Sequence, residues 1–281
     1  MVATLQYPNG PKATYTYDRA QRLTQLVNAV GANTVSSHAY TLDNAGNRTA
    51  QSEVVSGLTA PPVQPFASVK VNSDAGTAVQ DHPAIANGAD GATYLVWDDA
   101  RSGNADIEFA RRDPATGIWS ANVKVNTDTT TRLQLNPALA LDGANNAYAV
   151  WEDERDGANS KIDRNVYFSK RAAGTGLWST PNLRLNTDTT GNPVQRSARV
   201  GANAGGTVAA VWVDLRSTQQ NIQSRRSTDG AGTWSANLQV TNNTAALKDA
   251  PDVVVGADGT AYAVWQDSRS GNPDIYFIPN L

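Results

Sequence analysis

Four copies of a Trp-x-Asp-x-Arg motif predict an all-β fold: a β-propeller of four four-stranded blades, preceded by a small N-terminal β-hairpin segment. Two further observations support this. Each interval between motifs holds four short strand-like runs, and Gly- and Asn-rich turns separate the first two runs of every copy.

The tryptophans mark the period. Trp97, Trp151, Trp212 and Trp265 stand in YLVWDDAR, YAVWEDER, AAVWVDLR and YAVWQDSR, 54, 61 and 53 residues apart. The other three, Trp119, Trp178 and Trp234, form a second series in GIWSANVKVN, GLWSTPNLRLN and GTWSANLQVTN. In the second period the runs are 137–142, 147–153, 165–171 and 177–186, strands a to d of a blade. The a–b turns NGADG, DGANN, GANAGG and GADG tolerate the positive φ of tight hairpins. The repeat opens on SVKVN (68–72), which matches the end of strand d, and closes on 274–281, which matches strand c. The expectation is that the first segment completes the last blade and closes the ring at four. The alternative is an arc of a larger ring.

Domain boundaries follow from composition. Residues 1–53 form the N-terminal β segment, 54–66 (VVSGLTAPPVQPF) read as a Pro-rich linker, and 67–281 carry the propeller. The chain has 281 residues, a net charge of −3 and no cysteine, which excludes disulfides, thiolate catalysis and Cys-ligated zinc. Its two histidines, His38 and His82, exclude a histidine-rich metal site. No basic stripe favours nucleic acid, no apolar run reaches the length of a membrane span, and the N-terminus shows no signal peptide.

Ser227-Thr228-Asp229-Gly230-Ala231-Gly232-Thr233-Trp234 resembles the Asp-box, S-x-D-x-G-x-T-W, of sialidases and other BNR-repeat propellers. The resemblance implies a structural turn between strands c and d. Ser227 and Asp229 would satisfy turn backbone there and Trp234 would pack between strands, with Gly232 a member of the same structural box. The copies at 112–119 and 171–178 keep only the Gly-x-Trp end. In the N-terminal segment, 15–26 and 40–51 resemble the YD repeats of RHS and teneurin-type proteins. Gln21 replaces the family's turn glycine, which puts a normal tight turn in doubt. Both resemblances imply a bacterial protein placed outside the cell or at its surface.

The motif supplies Asp99/Arg101, Asp153/Arg155, Asp214/Arg216 and Asp267/Arg269, where strand b runs into its loop to strand c. One reading is structural: the aspartate caps the b–c turn and the arginine bridges blades. The other is a polar ligand rim, shared with d–a loops that carry Asp74, Asp128 and Asp188, with Asn242 in the fourth place. Such oxygen-rich loops suit Ca²⁺ or sugar hydroxyls, although their spacing matches no EF-hand. No cofactor is required, and Ca²⁺ is the one expected candidate. His82 reads as a turn or packing residue. The acids recur in equivalent sets, whereas an active site needs one acid set apart by its surroundings. The expected function is therefore a non-catalytic binding or scaffolding propeller, with a glycan or a surface protein as partner. The alternatives are a sialidase-like glycoside hydrolase, or a fragment of a larger RHS-type surface protein. A sialidase would need three arginines converging beside a Tyr–Glu pair.

Overall fold

The computed structural model describes residues 1–8, 10–55, 68–157, 163–187, 194–216, 219–242 and 245–281. The chain divides into two compact units, Met1–Val69 and Lys70–Leu281. Most of the expected linker, 56–66, lies outside the described residues.

The first unit is larger than the hairpin expected. It is an antiparallel meander of five strands in sequence order: β1 (Val2–Gln6), β2 (Pro11–Tyr17), β3 (Leu23–Val30), β4 (Asn33–Leu42) and β5 (Arg48–Val55). Its β2–β3 and β4–β5 turns are the two YD-like copies. Asp18 accepts from the backbone N–H of Ala20 and Arg22, and Asp43 from that of Asn47. Each carboxylate closes its own turn. Gln21 takes φ 64° despite its side chain, because the Asp18 bonds over-determine the turn. Arg22 then ties the copies together by donating to the Asp43 carbonyl at 2.9 Å.

The second unit holds four antiparallel sheets. Blade 1 comprises β6 (Gln80–Asn87), β7 (Thr93–Asp99), β8 (Asp106–Arg112) and β9 (Val123–Lys124). Blade 2 comprises β10 (Gln134–Leu141), β11 (Ala147–Asp153), β12 (Asn165–Arg171) and β13 (Leu183–Arg184). Blade 3 comprises β14 (Gln195–Ala202), β15 (Val208–Asp214), β16 (Asn221–Ser227) and β17 (Leu238–Gln239). Blade 4 has three strands: β18 (Lys248–Val255), β19 (Ala261–Asp267) and β20 (Asp274–Pro279). The first strand of each blade packs on that of the next, β6 on β10, β10 on β14 and β14 on β18. These four strands line the axis.

Blades pack face to face through a repeated pattern. In each blade a forward face meets the Ala/Trp-bearing rear face of the next. Tyr94, Val96, Ile107 and Phe109 pack on Ala147, Ala149 and Trp151. Tyr148, Val150, Val166 and Phe168 pack on Val208, Ala210 and Trp212, and the blade 3–4 contact repeats this with Trp265. The second tryptophans brace the same seams, Trp178 edge-on to Phe109 and Trp234 edge-on to Phe168. Space is tight where backbones approach. A Cβ on Gly201 would stand 2.7 Å from the Val253 carbonyl oxygen of the next blade.

The expected closure does not form. Blade 4 lacks a fourth strand among the described residues, and its forward face is open. Val264, Ile275 and Phe277 are 38%, 77% and 58% exposed, whereas their blade 2 counterparts Val150, Val166 and Phe168 are 0%, 0% and 3%. Segment 68–72 sits beside blade 1 instead. The Val71 carbonyl accepts from Asn122 Nδ2 at 3.3 Å, and Ser73 N donates to Asn122 Oδ1 at 2.6 Å. Asn182 makes the same pair of contacts between blades 1 and 2, donating Nδ2–H to the Val125 carbonyl and accepting from Thr127 N–H. The segment therefore occupies the place where the d strand of a preceding blade would end.

Candidate functional site

The Trp-x-Asp-x-Arg motifs fold into internal clasps. Trp97, Trp151 and Trp265 donate Nε1–H to Asp99, Asp153 and Asp267 at 2.9, 2.7 and 3.2 Å. In every copy the arginine two residues on donates its backbone N–H to the same carboxylate, at 2.8–2.9 Å, capping the b–c turn. Its guanidinium then folds back on that aspartate, for example Arg155 Nη2 to Asp153 Oδ2 at 2.6 Å. Arg101, Arg216 and Arg269 pair likewise with Asp99, Asp214 and Asp267. Arg155 and Arg269 lie over the rings of Tyr167 and Tyr276 at 4.1 Å. All four aspartates are buried. Burial pushes the Asp99 carboxyl up, but hydrogen bonds from Arg101 and Trp97 outweigh it and hold the group at about 2. The eight residues thus form four clasps and not an open ligand rim, because the carboxylate lone pairs are used internally.

The d–a loop aspartates are also turn residues. Asp74 accepts from Gly76 N–H, and Asp128 from Thr130 N–H, Thr130 Oγ1 and Gln134 Nε2. Asp188 lies outside the described residues. Among the described residues, no three acid or histidine side chains gather as a metal cluster. The Ser227–Trp234 stretch folds as a hydrogen-bonded turn between β16 and β17. Ser227 Oγ donates to Asp229 at 2.7 Å and accepts from Ala231 N–H, while Asp229 accepts from Thr233 N–H and Oγ1. Those donors hold the Asp229 carboxyl far below the usual carboxylate range. Gly232 packs against the same carboxylate, where a Cβ would come to 3.1 Å of Asp229 Oδ2.

A different set of residues meets at the axis. Every first strand carries a β-bulge, between Asp81/Ala84, Leu135/Ala138, Arg196/Arg199 and Asp249/Asp252. The bulge residues His82, Asn136, Ser197 and Ala250 all take left-handed φ, 46–54°. Such backbone costs on the order of 1–3 kcal/mol per residue and re-aims the side chain. Just past the bulges lies a cavity of about 400 Å³. All four innermost strands contribute to it, including His82, Asn136, Arg199 and Asp252.

Here the repeat loses its symmetry. The residue after each motif tryptophan is Asp98, Glu152, Val213 or Gln266. Asp98 Oδ2 contacts His82 Nδ1 at 2.8 Å and accepts from Asn136 N–H at 3.1 Å. The Asp98 side chain is 6% exposed and that of His82 50%. A buried carboxylate thus orients a half-exposed imidazole, whose Nε2 has no partner among the described residues. Glu152 makes the parallel contact one blade on. It accepts from Ser197 N–H at 2.8 Å and pairs with Arg164 at 3.0 Å. Beyond the bulge, Ala84 and Ala138 give way to Arg199 and Asp252 at the equivalent positions. Arg199 donates to the Ala198 carbonyl and has no acidic partner among the described residues.

Sequence reasoning set His82 aside and passed over Asp98, Asn136, Arg199 and Asp252. The available signal was the position that varies in chemistry while its neighbours repeat.

By sequence, the chain matches no family model and no curated protein. By structure it resembles a protein of unknown function from Dyadobacter fermentans, at 9% identity and a TM-score of 0.52, over 99% of this chain and 93% of that one. It is also similar to an endo-arabinase from Bacteroides thetaiotaomicron, at 12% identity and a TM-score of 0.45, over 100% and 93% of the two chains. A third likeness is to a thermostable family-43 glycoside hydrolase, at 11% identity and a TM-score of 0.49, over 98% and 87%. At these identities likeness speaks of fold alone, and chemistry has to be read from this chain's own residues. The expectation of a non-catalytic binding or scaffolding module is nevertheless corrected. What overturns it is the chain's own cavity: the symmetry that argued against catalysis is broken there, with His82, Asn136, Arg199 and Asp252 on one lining and Asp98 behind His82.

Proposed function

We propose that the propeller unit is a carbohydrate-active enzyme that hydrolyses a glycosidic bond in the axial cavity. The observation that carries this reading is the convergence of the oriented His82–Asp98 pair with Asp252 and Arg199 on one cavity. A glycosidic bond is hydrolysed when one group protonates the leaving-group oxygen and a second takes a proton from a water that attacks the anomeric carbon from the opposite face of the sugar ring. His82, held by Asp98, is one such group, and the exposed Asp252 carboxylate is the other. Arg199 and Asn136 supply donors for sugar hydroxyls. A cavity mixing cation, anion and amide suits a polyhydroxylated ligand better than an apolar one. Among the cavity-lining residues there is one arginine, so the three-arginine clamp of a sialidase is not what this cavity offers.

The test is turnover of a panel of fluorogenic glycosides and linear and branched polysaccharides. Release of reducing ends is expected. His82→Ala, Asp98→Asn and Asp252→Asn should each lower kcat/KM by at least about 10²-fold with the circular dichroism spectrum unchanged. No turnover by the folded protein, or turnover indifferent to all three substitutions, rules the reading out.

The capped Ser227–Trp234 turn supports an Asp-box type of repeat, and the two Asp-capped turns of the meander support a YD type. Both accord with action outside the cell. Among the described residues, no helix is long and apolar enough to cross a membrane.

A further inference from the structure

We infer that a second copy of this chain docks on the open side of blade 4, its segment Lys70–Asn72 supplying the missing outer strand. This does not depend on the reading of the axial cavity. In blades 1 to 3 the outer strand is fixed to the third by a recurring set of contacts. Blade 1 adds an ion pair to the backbone contacts that recur, Lys124 Nζ to Asp106 Oδ1 at 2.7 Å, where blades 2 and 3 carry Asn165 and Asn221 in place of the aspartate. Val125 N–H donates to the Ile107 carbonyl at 2.8 Å, and Ile107 N–H donates to Asn126 Oδ1 at 2.8 Å. Leu185 and Asn186 make the same backbone pair of contacts with Val166, and Val240 and Thr241 with Ile222.

The chain carries both halves of one more such set, and they do not meet. Lys70, Val71 and Asn72 correspond to Lys124, Val125 and Asn126. Asn72 Nδ2 donates to Gln80 Oε1 at 3.1 Å, as Asn126 does to Gln134 at 3.1 Å. The segment is therefore already held in strand-d geometry on one side. On its other side, Val71 N–H and Asn72 Oδ1 have no partner among the described residues, and Lys70 Nζ reaches only the Asp74 carbonyl. At the far end of the arc, Asp274 and Ile275 of β20 correspond to Asp106 and Ile107. Ser270 occupies one oxygen of Asp274, as Ser102 does for Asp106. The second oxygen and the outward-facing N–H and C=O of Ile275 have no partner among the described residues. Three groups on one segment match three on the other in type and order, with opposite charge at the first.

The apolar surface is matched as well. The forward face of blade 4 exposes Ile275 and Phe277, and the rear face of blade 1 exposes Ile85 at 66%. Their counterparts inside the arc are covered by the neighbouring blade. A second copy joined head to tail continues that packing across the gap, and two copies doing so reciprocally close a ring with twofold symmetry.

Light scattering on the intact chain at up to about 0.1 mM, where an interface of standard size is populated, tests this. The expected mass is twice 29.8 kDa or a higher multiple. Lys70→Glu and Asp274→Lys should each weaken assembly by at least about tenfold, and combining them in one chain should restore it. A single-chain mass throughout overturns the proposal, and so does an assembly indifferent to both substitutions.

Discussion

A buried carboxylate is costly unless its lone pairs are satisfied, and the motif aspartates show how the repeat meets that cost. Asp153 accepts from an indole, a backbone amide and a guanidinium at once. Asp153→Ala would strand Trp151 Nε1 and the buried face of Arg155, so a loss of about 3–5 kcal/mol is expected in urea unfolding. The same clasp sets acid sensitivity. Asp99 is held at about 2 against an ordinary 3.8. A depressed carboxylate contributes stability fully above its unfolded value, and that contribution disappears as pH falls through the folded one. Stability should therefore be level from neutral pH to about 4, then decline towards pH 2. Asp99→Asn should remove on the order of 2 kcal/mol of that slope, as read from unfolding midpoints at stepped pH. Blade 3 departs from the pattern. Trp212 Nε1 finds no partner among the described residues, although Asp214 still accepts from Arg216.

Strands b and c stand where periodicity puts them, since 147–153 and 165–171 are β11 and β12 to the residue. Strand a begins earlier than expected, at Gln134 and not 137, because the bulge inserts a left-handed residue and breaks the alternation that marks a strand. Strand d is far shorter than its strand-like run, two residues where 177–186 promised ten, because its ladder with strand c is confined to Tyr167 and Phe168. Beyond it, an isolated bridge between Arg171 and Trp178 and the bonds of Leu185 and Asn186 to Val166 hold the two ends of the run, and Trp178 is delivered to the blade 1 seam. The seams set a limit on side-chain size that no local pattern announces. Gly201→Ala would drive a methyl into the Val253 carbonyl. A loss of about 1–3 kcal/mol is expected, seen as a lower Tm with an unchanged spectrum.

Across the whole propeller unit, blades 2 and 3 are covered on both faces and blade 4 on one. In such a quasi-linear array, stability is the sum of each blade and its neighbour contacts. In the single, unassembled chain amide exchange should therefore be slowest in β11 and β15 and fastest in β20, where Ile275 and Phe277 have no covering blade. Equal protection in all blades at concentrations where the chain is single would contradict an open arc.

The sequence by itself determined the period, the strand order within a blade and the turn chemistry, including the aspartate that caps the b–c turn. These rest on contacts between residues close in the chain, which repeat wherever the residues repeat. It could not reveal the axial cavity, because His82, Asn136, Arg199 and Asp252 come from four different periods. They meet only when the innermost strands are brought side by side. Nor could it decide closure. Segment 68–72 has the pattern of an outer strand, but pattern names a kind of partner and not which one. The curvature accumulated over three blade seams sets where β20 ends, and that distance from blade 1 is a property of packing, invisible to any one repeat.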